Sequence, residues 1–211
     1  LALESGRPVG RIGLDLSEEG NSTVGSSRIE LIADAHGKGI GSAALQLLED
    51  SAHARGRGIL QAEIEHPQAP GPRLAAPNGF GDIPLDRTAR FLLGQGFNLE
   101  QVERNSVFDL TKDPAPLRKQ LRTAAAAALG YEIVQWQPPT PAPFVTDYAW
   151  LKSRMSTDTP MAALLTEEEH WDAQRLTNEE QTVLASGQTC LITAARHLTS
   201  GRLVAFNELT I

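Results

Sequence analysis

The sequence predicts an α/β protein whose mixed, largely antiparallel sheet is flanked by helices. Three observations support this prediction: stretches of alternating apolar residues, stretches with apolar residues at helical spacing, and a glycine-rich turn between a predicted strand and a predicted helix. The 211 residues are 41% hydrophobic and 21% charged, which is typical of a globular protein. A chain of this length is expected to form one large or two small domains.

The first half is expected to alternate strands and helices. Asp86 is a plausible N-cap, and the five prolines and three glycines in residues 67–84 indicate a long loop. The predicted elements are strands at 9–16, 27–33 and 59–65, a helix from 41 to about 55, a short helix from 86 to 93, and a strand pair at 97–102 and 106–110.

The second half begins with a helix at 117–129 that contains five consecutive alanines. We interpret it as a connector between domains. Thr166 and Glu169 have the spacing of a capping box and predict the start of a long helix. All three tryptophans lie in this half and are expected in its core. The remaining predicted elements are strands at 131–136, 188–195 and 202–211, and helices at 144–155 and from 166 to about 185.

An internal repeat links the two halves. The eight residues 3–10 recur in altered form at residues 198–205, an offset of 195 residues. The first residue is Leu1 rather than Met, so we expect a processed chain or a fragment. On this interpretation the chain starts inside one domain and stops at the equivalent strand of a second copy.

The most informative segment is His36-Gly37-Lys38-Gly39-Ile40-Gly41, which lies between a predicted strand and a predicted helix. Such a turn directs free backbone N–H groups and the positive end of the helix dipole at one point. Glycine removes the Cβ that would block close approach and permits unusual φ angles. The segment therefore predicts a site for a phosphate-bearing cofactor.

Three phosphate-binding motifs compete for this turn. The P-loop is excluded because Lys38 is followed by Gly39 rather than by Ser or Thr. The dinucleotide fingerprint G-x-G-x-x-A is satisfied by residues 39–44, with Glu63 or Glu65 at about the right distance onward. Five residues separate Ala33 from Gly39, whereas that fold turns almost directly from strand into glycine. An NAD(P)-binding module stays open as an alternative.

The third motif, Arg/Gln-x-x-Gly-x-Gly/Ala at a strand–helix junction, is the acyl-coenzyme A signature of the GNAT acetyltransferases. The chain resembles this family over residues 6–110: 29–33 is similar to its fourth strand, 39–45 to its pyrophosphate turn, and 59–65 to its fifth strand. Ala89-Arg90-Phe91 and Gly96-Phe97 match its later helix and turn. In the family the two strands splay apart and hold pantetheine between them. The resemblance assigns acetyl-CoA, or a related acyl-CoA, to Leu31, Ile32, Ala33, His36, Gly37, Lys38, Gly39, Ile40, Gly41 and Ser42.

The resemblance extends to actinobacterial tandem-GNAT proteins. It implies that residues 1–112 are the C-terminal part of a first GNAT domain, 113–129 a connector helix, and 130–211 the N-terminal part of a second GNAT domain. The sheet would then span parts of two tandem copies. The second part ends before any glycine turn of its own, so only the first carries the acyl-CoA site.

The activity implied is N-acetyl transfer from acetyl-CoA to an amine by direct attack within a ternary complex. Glu30, on the strand that leads into the turn, is a candidate general base, although a structural role is open too; Glu63 and Glu65 are weaker candidates. His36 replaces the usual Arg or Gln, and Leu92 replaces the tyrosine that many members use to protonate the leaving thiolate. Since leucine donates no proton, the first copy is expected to be weak or inactive, and a non-catalytic acyl-CoA-binding or scaffold domain is the alternative.

Composition narrows the remaining possibilities. A net charge of −7 argues against nucleic acid as a partner, and no apolar run has the length that a membrane span requires. The lone Cys190, expected to be buried and structural, fits a reducing cytoplasmic location. The five histidines show no metal-ligand spacing, so no metal is predicted. The expected partners are a small-molecule or peptide amine, and either a second copy of the chain or the missing portions of its own tandem domains.

Overall fold

The computed structural model describes residues 1–17 and 22–211. These residues form two compact units, of which the first comprises Leu1–Arg104 with Pro160–Glu167 and the second Asn105–Thr159 with Glu168–Ile211. Both units combine sheets with helices, so the predicted mixed α/β class is confirmed. The assignment of the units to two GNAT copies stays a prediction.

The first unit is built on a four-stranded sheet. Its strands lie in chain order: β1 pairs with β2 and β2 with β3 in antiparallel fashion, whereas β4 joins β3 in parallel. Helix α1 makes the crossover from β3 to β4. The elements of this unit are β1 (Ala2–Glu4), β2 (Arg7–Leu16), β3 (Val24–Leu31), α1 (Ile40–His53), β4 (Ile59–Gln61), β5 (Arg73–Ala75), β6 (Asp82–Pro84) and α2 (Arg87–Gly94).

Helix α1 packs one apolar stripe against β2 and β3. Its buried residues, spaced three or four apart on one face, are Ala44, Leu45, Leu48 and Ala52. Leu47, which the helical spacing also allowed on this face, is exposed. The helix therefore anchors its first turn firmly at the end of β3.

Strand β2 approaches β3 closely at Gly10, which is paired with Leu31. A Cβ at Gly10 would overlap the carbonyl oxygen of Glu30 and lie 2.6 Å from Leu31 Cδ2. Gly13, three residues later on the same strand, has nothing within 4 Å of such a Cβ. The close packing at Gly10 therefore sets the position of the last residues of β3.

The second unit encloses its core between one sheet and two helices. The sheet has the order β7–β8–β9 with antiparallel pairing throughout. Its elements are α3 (Ala115–Ala127), β7 (Tyr131–Trp136), α4 (Ala142–Asp158), α5 (Ala173–Ala185), β8 (Cys190–His197) and β9 (Leu203–Thr210). The buried cluster is Trp136, Tyr148, Leu151, Leu176, Cys190, Ile192, Ala194 and Leu203. Cys190 is thus buried as expected, and burial raises the pKa of its thiol.

A lysine lies within this core. The Lys152 side chain is 9% exposed, and its Nζ lies 2.9 Å from Glu208 Oε1 and 4.5 Å from the centre of the Trp171 ring. Glu208 also accepts a hydrogen bond from the hydroxyl of Tyr148, and burial together with this carboxylate raises the pKa of Tyr148. The ammonium group compensates the partly buried carboxylate, so removing it leaves that charge without its main partner.

The repeated sequence forms an antiparallel hairpin in both units. Gly6 and Gly201, equivalent at the offset of 195, have φ angles of 79° and 71°. In each hairpin the register shifts once, which leaves Val9 unpaired in β2 and the equivalent Val204 unpaired in β9. The two copies therefore share a bulge as well as a turn glycine.

Several predicted elements differ from the structure. Residues 97–110 form no strand pair; Val107 is 98% exposed, and without a neighbouring strand its alternating pattern has no ladder to join. The long helix begins at Ala173, capped by Asp172, and Glu169 bonds instead to the Trp171 indole N–H at 2.9 Å. Trp150 is 48% exposed rather than in the core. The loop at 67–84 contains the short pair β5–β6.

Replacing Gly10 by Ala is expected to destabilise the first unit by about 1–3 kcal/mol or more, because the new methyl group overlaps backbone atoms of β3. The first unit contains no tryptophan or tyrosine, so amide hydrogen exchange of β2 and β3 is the suitable measurement. Gly13→Ala is the matched control and should leave the exchange rates nearly unchanged. Equal protection in both variants would contradict the close approach.

Lys152→Met should destabilise the second unit by about 3 kcal/mol, the lower end of the cost of breaking a buried pair, because Glu208 is partly exposed. All three tryptophans lie in this unit, so tryptophan fluorescence during urea unfolding reports on it. Lys119→Met, on the exposed face of α3, should shift the free energy of unfolding by less than about 0.5 kcal/mol. A similar midpoint for both variants would show that the buried ammonium is not needed.

Candidate functional site

The site lies where β3 and β4 separate. Their parallel pairing covers three residues on each strand and ends at Ser26 and Gln61, where the Ser27 hydroxyl donates to the Gln61 carbonyl at 3.0 Å. Beyond this point β3 continues to Leu31 beside β2, while residues 62–65 leave the sheet. The two chains therefore diverge and open a gap on one side of β3.

The last residues of β3 direct backbone groups into this gap. Ile32 donates its N–H to the Val9 carbonyl at 2.9 Å, on the side of β2. Since successive N–H groups of a strand point to opposite sides, the N–H of Leu31 points toward the gap. His36 Nε2 lies 3.2 Å from the Leu31 carbonyl and, because a carbonyl only accepts, must donate to it. His36 thus ties the following turn to the end of the strand.

The turn itself is open. It consists of a 3-10 turn at Ala33–Ala35 followed by Gly37 and Gly39, whose φ angles are 75° and 80°. A Cβ on either glycine would meet nothing within 4 Å. Gly39 is the N-cap of α1, so the turn leads directly into the first helical residues.

Six consecutive amides of this turn are available. Within the described parts of the chain, the backbone N–H groups of residues 37–42 donate to no protein acceptor. They lie at the positive end of a helix of 14 residues. Free amides at a helix start are the groups that bind phosphate in proteins, so this turn is the candidate site for a phosphate or diphosphate group.

Helix α2 packs beside the turn. A Cβ added to Gly41 would lie 3.3 Å from Phe91 Cζ and 3.9 Å from Leu31 Cδ1, so the Phe91 ring covers the first turn of α1. Asp86 caps α2 by accepting the Ala89 N–H at 2.9 Å, as the sequence predicted. The capped helix thus brings a second element to the edge of the gap.

Two basic side chains in this region form ion pairs. Lys38 Nζ lies 2.8 Å from Glu4 Oε1, so its charge is shared with a carboxylate of β1. Glu30 accepts two hydrogen bonds from Arg11, the residue directly opposite on β2, at 2.6 and 2.8 Å. The bond from Arg11 lowers the pKa of Glu30. Since a carboxylate held in this way is a weaker base, the pairing favours the structural role for Glu30 over the catalytic one.

The predicted site residues fall into two groups. Residues 31–42 come together at the end of β3, whereas Glu63 and Glu65 are exposed on the departing chain. Sequence analysis did not find the pair formed by His66 and Asp86, whose Nδ1 and Oδ2 atoms lie 2.9 Å apart. The two residues are 20 positions apart, and no spacing rule connects them; only the N-cap role of Asp86 was visible.

Residues 1–17 and 22–211 show neither a cluster of metal ligands nor a helix that could span a membrane. Among them, no group of three or more histidine, cysteine, aspartate or glutamate side chains is arranged to hold a metal ion. None of the helices in this part of the chain combines the length and the apolar character needed to cross a bilayer.

Comparison with known proteins gives one family and one solved structure. Residues 1–80 match the model of the acetyltransferase (GNAT) family. A structure described as a tandem GNAT protein from the clavulanic acid biosynthesis pathway, without AcCoA, has a similar fold, with a TM-score of 0.60 and 19% sequence identity. The similarity covers 99% of this chain and 56% of that one, so the chain spans little more than half of the length of that protein. No curated protein matches the chain. The resemblance to GNAT proteins is thereby confirmed.

Proposed function

We propose that the chain, whose residues 1–80 match the model of the GNAT acetyltransferase family, binds acetyl-CoA or a related acyl-CoA and transfers the acyl group to an amine. The cofactor diphosphate would lie on the amides of residues 37–42. The pantetheine arm would run along the gap beside the N–H of Leu31. The acceptor class proposed is a small molecule or a peptide with a free amine.

One observation carries this proposal: six consecutive main-chain N–H groups without protein acceptors, at the start of α1 and beside diverging strands. A hydrogen bond from an N–H group to a charged oxygen contributes about 1.5–3 kcal/mol. Three such bonds contribute about 4.5–9 kcal/mol, and micromolar affinity corresponds to about 8 kcal/mol. The main chain alone can therefore supply most of the binding free energy for the diphosphate.

The proposed reaction is a direct transfer. A neutral amine attacks the thioester carbonyl carbon, a C–N bond forms, the C–S bond breaks, and coenzyme A leaves as a thiolate. A strand N–H near the end of β3 would polarise the carbonyl. The amine must lose one proton and the thiolate must gain one, so the site needs a group that moves a proton.

A second candidate function is acyl-CoA binding without turnover. Leu92 lies in α2 where the resemblance places a proton-donating tyrosine, and Glu30 is held by Arg11. Loss of a general acid typically lowers the rate by about 10²–10⁴-fold. Measuring acetyl-CoA binding and coenzyme A release on the same sample distinguishes a protein that only binds from an enzyme. Titration with NAD tests the remaining alternative, an NAD(P)-binding module.

Gly39→Asp should weaken acetyl-CoA binding by about 100-fold or more, because the new carboxylate repels the diphosphate and competes for the free amides. Isothermal titration calorimetry with acetyl-CoA measures the change. The matched control is Gly56→Asp at the other end of α1, which adds the same charge at a φ of 73° with open space around it. Unchanged affinity in Gly39→Asp, with Gly56→Asp behaving identically, would remove the proposed site.

Glu30→Gln is expected to change amine-dependent thiol release by less than about threefold, far below the roughly 10²–10⁴-fold loss caused by removing a general base. We expect this small effect because Glu30 forms a cross-strand ion pair with Arg11 and does not act as the base. The measurement is release of coenzyme A from acetyl-CoA at saturating amine. A hundredfold loss with intact acetyl-CoA affinity would instead identify Glu30 as the base.

A further inference from the structure

The first unit contains an imidazole that is held at one nitrogen and open at the other. The His66 side chain is only 7% exposed, and its Nδ1 lies 2.9 Å from Asp86 Oδ2. Among the described residues, the only buried side-chain nitrogen or oxygen without a partner is Nε of Arg57. His66 Nε2 also has no protein partner there, so it is not buried and must reach the surface.

The geometry at Asp86 determines which nitrogen carries the proton. Oδ1 of Asp86 accepts the Ala89 N–H at the start of α2, which fixes the carboxyl group in place. Burial acts to raise the pKa of Asp86, but the hydrogen bonds from Ala89 and His66 outweigh it and the pKa is lowered. Asp86 is therefore a carboxylate that accepts from His66, so Nδ1 bears a hydrogen, and in the neutral imidazole Nε2 carries the lone pair.

His66 lies on the chain that departs from β3. The last parallel pair is Ser26 with Gln61, and residues 62–66 follow it outside any strand. His66 is therefore five residues beyond the point where the two chains separate.

Helix α2 gives a second, independent link to the turn. Asp86 is the N-cap of this helix, and Phe91, five residues later, packs against the Gly41 position at the start of α1. Five helical residues rise by about 7.5 Å, so the carboxylate lies about two turns or less from a contact with the phosphate-binding turn. The pair is therefore linked through α2 to the start of α1, where the proposed acyl-CoA site lies.

We propose that His66 is the general base of the transfer reaction and that Asp86 is its positioning residue. This inference rests on the proposed function. As the amine attacks the thioester carbon, its proton passes to His66 Nε2 and gives an imidazolium ion that the Asp86 carboxylate stabilises. The imidazolium then returns the same proton to the departing sulfur, which leaves as coenzyme A thiol, so that protons and charge balance.

This assignment also explains how the site works without a tyrosine at position 92. A group that takes the amine proton and then delivers it to the thiolate serves as base and acid in turn, so Leu92 need donate nothing. The alternative is that His66 merely satisfies the carboxylate of a helix cap. The capping role of His66 needs Nδ1 alone, whereas the catalytic role also needs Nε2. A substitution that keeps a donor at the Nδ1 position and removes Nε2 therefore distinguishes the two roles.

The decisive variant is His66→Asn, whose amide nitrogen can take the place of Nδ1 and donate to Asp86 while nothing replaces Nε2. Coenzyme A release is measured with acetyl-CoA and saturating glucosamine, cadaverine or a glycyl peptide, and acetyl-CoA affinity is measured by calorimetry. We expect kcat to fall by about 10²–10⁴-fold with affinity and melting temperature nearly unchanged. His53→Asn, on the exposed end of α1, is the matched control and should retain full activity.

Two further measurements separate catalysis from structure. Asp86→Asn keeps an N-cap residue but removes the charge, and should lower kcat without unfolding α2. His66→Gly should regain part of its rate when free imidazole is added, and nitrogen NMR of the His66 ring should show a protonated Nδ1 and a bare Nε2.

Each outcome decides between the claims. Full activity of His66→Asn, a protonated Nε2, or a wild-type protein that binds acetyl-CoA but releases no coenzyme A with any of the three amines overturns the base assignment and leaves the binding site standing. Failure of the wild-type protein to bind acetyl-CoA overturns the proposed function itself, and the base assignment with it.

Discussion

The separation of two parallel strands after only three paired residues is the constraint on which the first unit depends. Strand β3 stays bound to β2 up to its last residue, helped by the close approach at Gly10, whereas the chain after β4 departs at Gln61. The backbone groups on one side of β3 are thereby released from the sheet. The same divergence sets the end of β3, the glycine turn and the start of α1 at the edge of one opening, and His66 follows on the chain that departs.

Main-chain dipoles, rather than side-chain cations, make this opening attractive to anions. The chain has a net charge of −7, and two basic side chains of this region are already paired, Lys38 with Glu4 and Arg11 with Glu30. A diphosphate would therefore be selected by directed N–H groups at a helix start and not by a general positive field.

The second unit has its own core, and that core contains the charged side chain of Lys152. Lys152 is surrounded by Tyr148, Trp171 and Phe206 and is neutralised by Glu208 and Glu179, which combines cation–π contacts with ion pairs. Its hairpin shares the turn glycine and the bulge position of the first unit, yet its sheet holds no counterpart of the turn at residues 36–41 within the described residues. The two units thus repeat part of one architecture without repeating the site.

Local patterns determined the glycine-rich turn, the helix that follows it, the Asp86 cap, the buried Cys190 and most strands, because glycine conformation, side-chain capping and apolar spacing act within a few residues. Long-range packing decided the rest. The apolar pattern of residues 97–110 predicted strands that no neighbour completes, and Thr166 with Glu169 predicted a helix start that Asp172 provides instead. The sequence offered Glu30 as a candidate base, whereas the strand register places Arg11 opposite it and favours a structural role. The pairing of His66 with Asp86 depends on strand divergence and helix packing together, and no spacing along the chain records a contact that only the folded backbone creates.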